Sequence, residues 1–149
     1  PSNGYSLIRK VVERTGLNYQ DAAPFSNDKT LGAALLEPTR LYSSAVLPLI
    51  KSNLVKGLAH ITGGGLTENT PRLCPERLTP RIDRKSWIPP TVFDWLKAEG
   101  NVAEDEMHRT FNMGIGLVFA VAKADVDAAM AHLKDLGETP VVLGDLVSA

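Results

Sequence analysis

A chain of 149 residues with 44% hydrophobic and 22% charged residues has the size and composition of one globular domain. No apolar run is long enough to cross a bilayer, and a formal net charge of −1 gives no overall field for a polyanion. These features exclude a membrane-spanning protein and argue against nucleic acid, so we expect a small-molecule ligand. The single cysteine, Cys74, excludes an intramolecular disulfide and a cysteine-rich metal site, and fits a cytoplasmic protein.

The predicted elements are helices where apolar residues recur every three or four positions, and strands where short apolar runs end in glycine or a charged residue. In chain order they are helix 5–16, helix 31–36, helix 43–50, strand 57–62, helix 66–69, an edge strand near 81–83, a helix from the proline pair 89–90 to 100, helix 104–109, strand 114–122, helix 125–136 and strand 141–147. Strands separated by helices indicate an α/β layered domain, and their uneven spacing argues against a regular parallel sheet.

The third helix is the ambiguous element of this series. Residues 41–46 are compatible with an extended segment, but a helix is favoured because Ser43 and Ser44 can cap it and Pro48 fits in or near its first turn. The strand 114–122 is predicted to be central, since its run of apolar and β-branched residues is typical of a strand buried on both faces.

The strongest local signal is the sequence His60-Ile61-Thr62-Gly63-Gly64-Gly65, in which a predicted buried strand enters three glycines before a helix. Backbone N–H groups of such a turn can approach an anion without obstruction by side chains, so the turn predicts a phosphate site. The alternative is a flexible connection, and the Lys-Ser/Thr ending of a P-loop is absent. His60 could transfer a proton or bind a ligand, or be a hydrogen-bonded core histidine.

Three arginines, Arg40, Arg72 and Arg109, each lie beside a Pro, Thr or Asn cluster at the end of a predicted element. A guanidinium group can hold phosphate or carboxylate in bidentate geometry, and the alternative for each is a helix cap or a surface ion pair. Glycines at 114 and 116 suit close packing of a strand or a ligand lying against it, and packing is favoured.

The histidines provide no metal site in the sequence. His108 and His132 are predicted to lie on polar helix faces in contact with solvent, and no two histidines have the spacing of metal ligands. No pair of carboxylates stands out as a general acid and base, so the catalytic residues remain unassigned.

Several motifs together resemble one family along nearly the whole chain. They are Ser2-Asn3-Gly4-Tyr5-Ser6-Leu7, Glu37-Pro38-Thr39-Arg40, residues 59–66 with Glu68-Asn69 and Pro71-Arg72, and residues 107–112 with Gly114 and Gly116. They are similar to aminoimidazole ribonucleotide synthetase, also called phosphoribosylformylglycinamidine cyclo-ligase. The segment Val92-Phe93-Asp94-Trp95-Leu96 distinguishes this family from relatives that share only the glycine turn.

This resemblance implies a fold and a place in a longer protein. Residues 1–149 would form the C-terminal domain, with three α/β/α layers, a mixed sheet and a partly ferredoxin-like arrangement. The N-terminal ATP-binding domain, which in this family supplies most contacts to ATP and Mg²⁺ and the homodimer interface, is expected to be absent from this chain.

The activity implied is a ligase reaction of purine biosynthesis, the ATP-dependent cyclisation of formylglycinamidine ribonucleotide to aminoimidazole ribonucleotide. The formyl oxygen is phosphorylated, the neighbouring amine attacks, and phosphate leaves. The chain would contribute the C-terminal half of the active site and be inactive alone. An alternative is a non-catalytic phosphate-binding or assembly module of the same superfamily.

The resemblance also implies which residues contact the nucleotide substrate or its phosphate. They are Ser2, Asn3, Gly4, Thr39, Arg40, His60, Thr62, Gly63, Gly64, Gly65, Asn69, Arg72, Arg109 and Asn112. The chain departs from the family pattern at Pro1, where a histidine is usual, and at Met113, where a cysteine is common and a thiol role is therefore excluded.

Overall fold

The computed structural model of the protein describes residues 3–149. The longest helix has 11 residues, and none within residues 3–149 is long and apolar enough to cross a membrane. The elements are α1 (Tyr5–Thr15), α2 (Leu31–Leu35), α3 (Ser43–Lys51), β1 (Val55–His60), α4 (Gly65–Asn69), β2 (Leu78–Ile82), α5 (Thr91–Gly100), α6 (Glu104–Thr110), β3 (Leu117–Val121), α7 (Val126–Asp135) and β4 (Gly144–Ser148), with 3-10 turns at Thr70–Leu73 and Lys123–Asp125.

The helices predicted from apolar spacing are confirmed to within a few residues. Gly16 follows α1 with φ 71°, the left-handed conformation that ends a helix at little cost for glycine. The helix favoured over residues 43–50 is also confirmed, although no side chain caps it. Pro48 lies at the sixth position of α3 rather than in its first turn.

The strands form two separate antiparallel pairs, so the mixed sheet that was expected is not found among residues 3–149. β1 pairs with β3, with His60 opposite Leu117, and β2 pairs with β4, with Ile82 opposite Gly144. β3 was predicted to be central, but among residues 3–149 it is paired along one edge only, because β2 and β4 pair with each other in a separate ladder. Residues 138–143, which precede β4, line a cavity beside β3.

Two apolar clusters lie on opposite faces of the β1–β3 pair, because alternate residues of a strand point to opposite sides. Ala59 and its neighbour Ile61 belong to the larger cluster, which contains residues of α1, α5 and α6. Phe119 packs against the smaller cluster between α3 and α7. The larger cluster holds Ile61 and Met107 fully buried, and burial of one such side chain contributes about 1.5–3 kcal/mol. It therefore fixes the start of the glycine turn against α6.

Candidate functional site

The three glycines after β1 form a tight turn whose members have different surroundings. Gly64 and Gly65 have φ values of 93° and 57°, a region that favours glycine. A Cβ on Gly65 would lie 2.0 Å from the carbonyl oxygen of His108 and 2.6 Å from that of Phe111. A Cβ on Gly63 would meet no atom within 4 Å. The turn is thus packed against α6 at Gly65 and open at Gly63.

Hydrogen bonds hold the turn from its inner side. The N–H of Gly65 donates to the Thr62 carbonyl at 3.0 Å. The side-chain amide of Asn69 donates to the carbonyls of Gly63 at 3.0 Å and of Gly65 at 2.8 Å. Among the hydrogen bonds of residues 3–149, none has the N–H of Gly63 or of Gly64 as its donor. Two amides of the predicted phosphate turn therefore remain available to an external acceptor.

The start of the chain meets the turn at the C-terminal end of α6. The Asn3 side chain donates to the Thr110 carbonyl at 2.6 Å, and a Cβ on Gly4 would lie 2.5 Å from the Phe111 ring. Because Gly65 packs against the same end of α6, segments far apart in sequence converge there. We call residues 3–4, 62–65, 68–69 and 108–112 the glycine-turn site; the predicted Ser2 lies outside the described residues.

Arg109 is the cationic group of the glycine-turn site and pairs there with the Glu68 carboxylate. Its Nε donates to the Glu68 carboxylate at 3.3 Å, and the Arg109 side chain is 65% exposed. A Cβ on Gly64 would lie 2.6 Å from the other carboxylate oxygen of Glu68, so this ion pair lies directly over the turn. Exposed ion pairs are weak, and an incoming anion can compete for the guanidinium. Arg72 is exposed in the 3-10 turn that follows α4.

Asn112 is buried and acts within the protein. Its Oδ1 accepts from the N–H of Gly114 at 3.1 Å, and its carbonyl accepts from Ile115 at 2.9 Å. The intervening Met113 has φ 52°, and its carbonyl accepts from the Trp87 indole at 2.8 Å. Asn112 thus shapes the connection between α6 and β3 through its side-chain oxygen and its carbonyl.

His108 was predicted to be solvated, and that prediction was wrong. The residue is 4% exposed, its ring packs edge-on against Trp87, and its Nε2 lies 3.2 Å from Glu104 Oε1. Burial and the Arg84 guanidinium lower the pKa of His108, and the Glu104 carboxylate partly opposes them. The signal that could have indicated this pairing is the i,i+4 spacing of Glu104 and His108.

Three of the predicted residues, Thr39, Arg40 and His60, lie on another surface together with Tyr42, Gly116 and Glu138, and we call these six residues the Arg40 surface. Arg40 pairs with Glu138 at 2.9 Å, and the Tyr42 ring packs against that of His60 with centroids 6.0 Å apart. His60 is exposed, so it is not a core histidine, and the strand that it ends is not fully buried as was predicted. The close packing favoured for the glycines at 114 and 116 is confirmed for Gly116, because a Cβ on this residue would lie 1.7 Å from the Tyr42 hydroxyl.

Two cavities lie beside these groups. The larger, about 680 Å³, is bounded by β3, α3, α7 and residues 138–146, with Arg40 and Tyr42 in its wall. The smaller, about 300 Å³, is bounded by the first turn of α4, by β2 and by His108 and Arg84. The glycines of the turn line neither cavity. The turn therefore lies outside both cavities and is exposed at Gly63.

No group of three or more His, Cys, Asp or Glu residues lies close enough to hold a metal ion in the part of the chain that is described. The carboxylates near the glycine turn are accounted for by ion pairs, such as that of Glu68 with Arg109. The donors that the chain offers at the turn are amides and a guanidinium, which suit an anion and not a cation.

Residues 1–149 match the family described as AIR synthase related protein, C-terminal domain. The chain is 51% identical over 146 residues to the bifunctional purine biosynthetic protein ADE1 of Schizosaccharomyces pombe, an alignment that covers 98% of the chain and 18% of that protein. It is 51% identical over 143 residues to a phosphoribosylformylglycinamidine cyclo-ligase of Neisseria meningitidis, with 96% and 41% covered. For the trifunctional purine biosynthetic protein adenosine-3 of Homo sapiens the identity is 46% over 148 residues, with 99% and 15% covered. The chain spans less than half the length of each relative.

Proposed function

The chain belongs to the family of AIR synthase related proteins, as their C-terminal domain, and on that premise we propose that it forms the C-terminal half of the active site of a phosphoribosylformylglycinamidine cyclo-ligase. The proposed reaction is the ATP-dependent closure of formylglycinamidine ribonucleotide to aminoimidazole ribonucleotide in purine biosynthesis. ATP supplies the phosphoryl group that activates the formyl oxygen for attack by the neighbouring amine.

One observation carries the proposal: the N–H groups of Gly63 and Gly64 have no acceptor among residues 3–149, and they lie beside the exposed guanidinium of Arg109. Two amides and a guanidinium form the donor set that binds a phosphate group. In the proposed complex they bind and orient a phosphate of the nucleotide substrate. Asn3 and Gly4 lie at the same end of α6 and border this position.

The proposed partner is an N-terminal domain of the same protein, which would cover the open turn and complete the site. The relatives contain more than twice the length of this chain, which leaves room for such a domain. We assign to it most contacts with ATP and Mg²⁺. A homodimer of the full-length protein and a cytoplasmic location are part of the same proposal.

The test compares this chain with the full-length protein that carries the N-terminal region. Formation of aminoimidazole ribonucleotide from formylglycinamidine ribonucleotide and ATP is measured for both. We expect turnover by the full-length protein and none by residues 1–149. A folded full-length protein that binds phosphate but forms no product would favour the non-catalytic module and contradict the proposal.

Variants of matched arginines then locate the anion site. Arg109→Ala removes the guanidinium over the turn, and we expect the KM for the nucleotide substrate to rise about tenfold, the usual effect of losing one charged hydrogen bond. Arg81→Ala removes a similarly exposed arginine, which lies on β2, away from the turn, and pairs with Asp145. This variant is expected to leave KM unchanged. Equal effects of the two variants would count against the assigned site.

A further inference from the structure

The side chain of Asn69 holds the glycine turn from within the protein. Asn69 is 2% exposed, although asparagine is normally an exposed residue. Both of its hydrogen bonds to the turn have the side-chain amide nitrogen as donor, at 3.0 Å to the Gly63 carbonyl and 2.8 Å to the Gly65 carbonyl. The side-chain amide has two N–H donors, and both have acceptors inside the protein.

This geometry separates Asn69 from a residue that binds ligand. The amide oxygen that remains is an acceptor, and an ionised phosphate offers oxygens that are acceptors as well. Asn69 therefore has no donor left for a phosphate group. The sequence motif alone could not distinguish these two roles, because an asparagine beside a glycine turn is compatible with both.

The consequence for the turn follows from the planarity of the peptide bond. In a trans peptide the C=O of one residue and the N–H of the next point in opposite directions. By holding the Gly63 carbonyl toward the buried side chain of Asn69, this hydrogen bond turns the N–H group of Gly64 in the opposite direction. That N–H is not the donor of any hydrogen bond found among residues 3–149.

We propose that Asn69 is a positioning residue that aims the backbone N–H group of Gly64 at the phosphate of the nucleotide. The inference rests on the proposed function, since it names the device that preorganises the same site. Free glycines visit many conformations, and fixing both carbonyls removes that freedom before the ligand arrives.

The test uses the full-length protein with Asn69→Asp, which keeps the size of the side chain and removes both donors. We expect the KM for the nucleotide substrate and the inhibition constant of inorganic phosphate each to rise about tenfold, while the KM for ATP changes less. All variants are compared at a temperature where circular dichroism shows them folded. Asn69→Ser, smaller and uncharged, is the second variant if the aspartate prevents folding.

Thr70→Val is the matched control. Thr70 is the next residue, is 3% exposed, and its hydroxyl has no hydrogen-bond partner in the described protein, so its removal is expected to leave every constant unchanged. A general loosening of this segment would instead affect both variants. Folded Asn69 variants with the KM and phosphate inhibition of the wild type would overturn the proposal.

A second readout keeps this inference distinct from the proposed reaction. Inorganic phosphate is titrated into the ¹⁵N-labelled full-length protein, and the amide resonance of Gly64 is followed. We expect it to shift and to reach saturation in the wild type, and to shift without reaching saturation over the same phosphate range in Asn69→Asp. Absence of turnover with intact phosphate shifts would refute the cyclo-ligase and retain the role of Asn69. Identical shifts in wild type and variant would refute that role.

Discussion

The glycine-turn site and the Arg40 surface both contain residues that the sequence marks as ligand contacts, but the two regions use them differently. At the glycine-turn site Asn69 and Asn112 are buried, and their hydrogen bonds are made to the protein's own backbone. On the Arg40 surface the arginine side chain is 57% exposed and pairs with one carboxylate. The difference teaches that a site motif contains two kinds of residue: those that build the turn and those that remain free to contact a ligand.

Among the substitutions that test this comparison, Gly65→Ala is expected to lower the free energy of unfolding most. The added methyl group meets two backbone carbonyls of α6, at 2.0 and 2.6 Å, which no side-chain rearrangement can relieve. The positive φ of Gly65 adds to this strain. We therefore expect a loss of about 3 kcal/mol or more in the free energy of unfolding, measured by urea denaturation.

Gly63→Ala is the matched control for Gly65→Ala. Its Cβ meets no atom within 4 Å, and its φ lies outside the left-handed region. We expect a change below about 0.5 kcal/mol. Similar destabilisation by the two substitutions would show that the turn is not packed against α6 as described.

A smaller effect is expected for Asn112→Ala. This change removes the acceptor for the Gly114 N–H and leaves that amide without its partner, in a turn where Met113 already has a positive φ. We expect a loss of about 1–2 kcal/mol in the free energy of unfolding. The control is Asn18→Ala, in an exposed loop. Asn101→Ala, at an exposed position after α5, is not a neutral control, because Asn101 also has a positive φ.

The two regions are expected to differ in the pH dependence of stability. The glycine-turn site contains the buried residue His108, and the Arg40 surface contains no buried histidine among the described residues. The folded-state pKa is lowered, so the unfolded chain, with its ordinary value of 6.5, binds the proton more readily. The stabilisation is therefore complete above about pH 6.5 and decreases as the pH falls below that value, until the folded-state pKa is passed.

His108→Gln tests this assignment, since glutamine does not titrate. Denaturation curves between pH 7.5 and about 5 are expected to show a decrease for the wild type that the variant lacks. Glu104, whose pKa is lowered chiefly by its hydrogen bond to Lys97, contributes in a more acidic window, below about 4.5. An equal decrease in both proteins would assign the pH dependence to another group.

Apart from the control variants, the smallest effect is expected for Arg40→Ala. The pair with Glu138 is more than half exposed on the arginine side, and exposed ion pairs contribute less than about 1 kcal/mol. Thermal unfolding at low salt and at 1 M salt measures this contribution, which salt should reduce. A loss as large as that of Asn112→Ala would show that the Arg40 surface is built by hydrogen bonds in the same way as the glycine-turn site.

Much of the fold could be predicted from local sequence patterns. The spacing of Ile8, Val11 and Val12 predicted α1, and Gly16 predicted its end, because a helix and its cap depend on neighbouring residues. The strand partners could not be predicted in the same way. The run that forms β3 gave no indication that only β1 would pair with it, since pairing depends on segments distant in sequence.

In the candidate site, too, some features could be predicted from the sequence and others could not. The three glycines and the adjacent charged residues could be identified from sequence, because they lie next to one another in the chain. That Asn69 would turn inward, that His108 would be buried, and that His60 and Arg40 would lie on a separate surface could not. Each of these outcomes depends on which side of an element the rest of the protein covers.

The sequence by itself therefore determined the helices, the position of the glycine turn and the family to which the chain belongs, because all three depend on residue identity and short-range order. Tertiary structure alone decided which polar residues build the turn and which are left to contact a ligand. The physical reason is that a buried polar group must find a partner within the protein, and the partner of Asn3, the Thr110 carbonyl at the end of α6, became available only when distant parts of the chain were packed together.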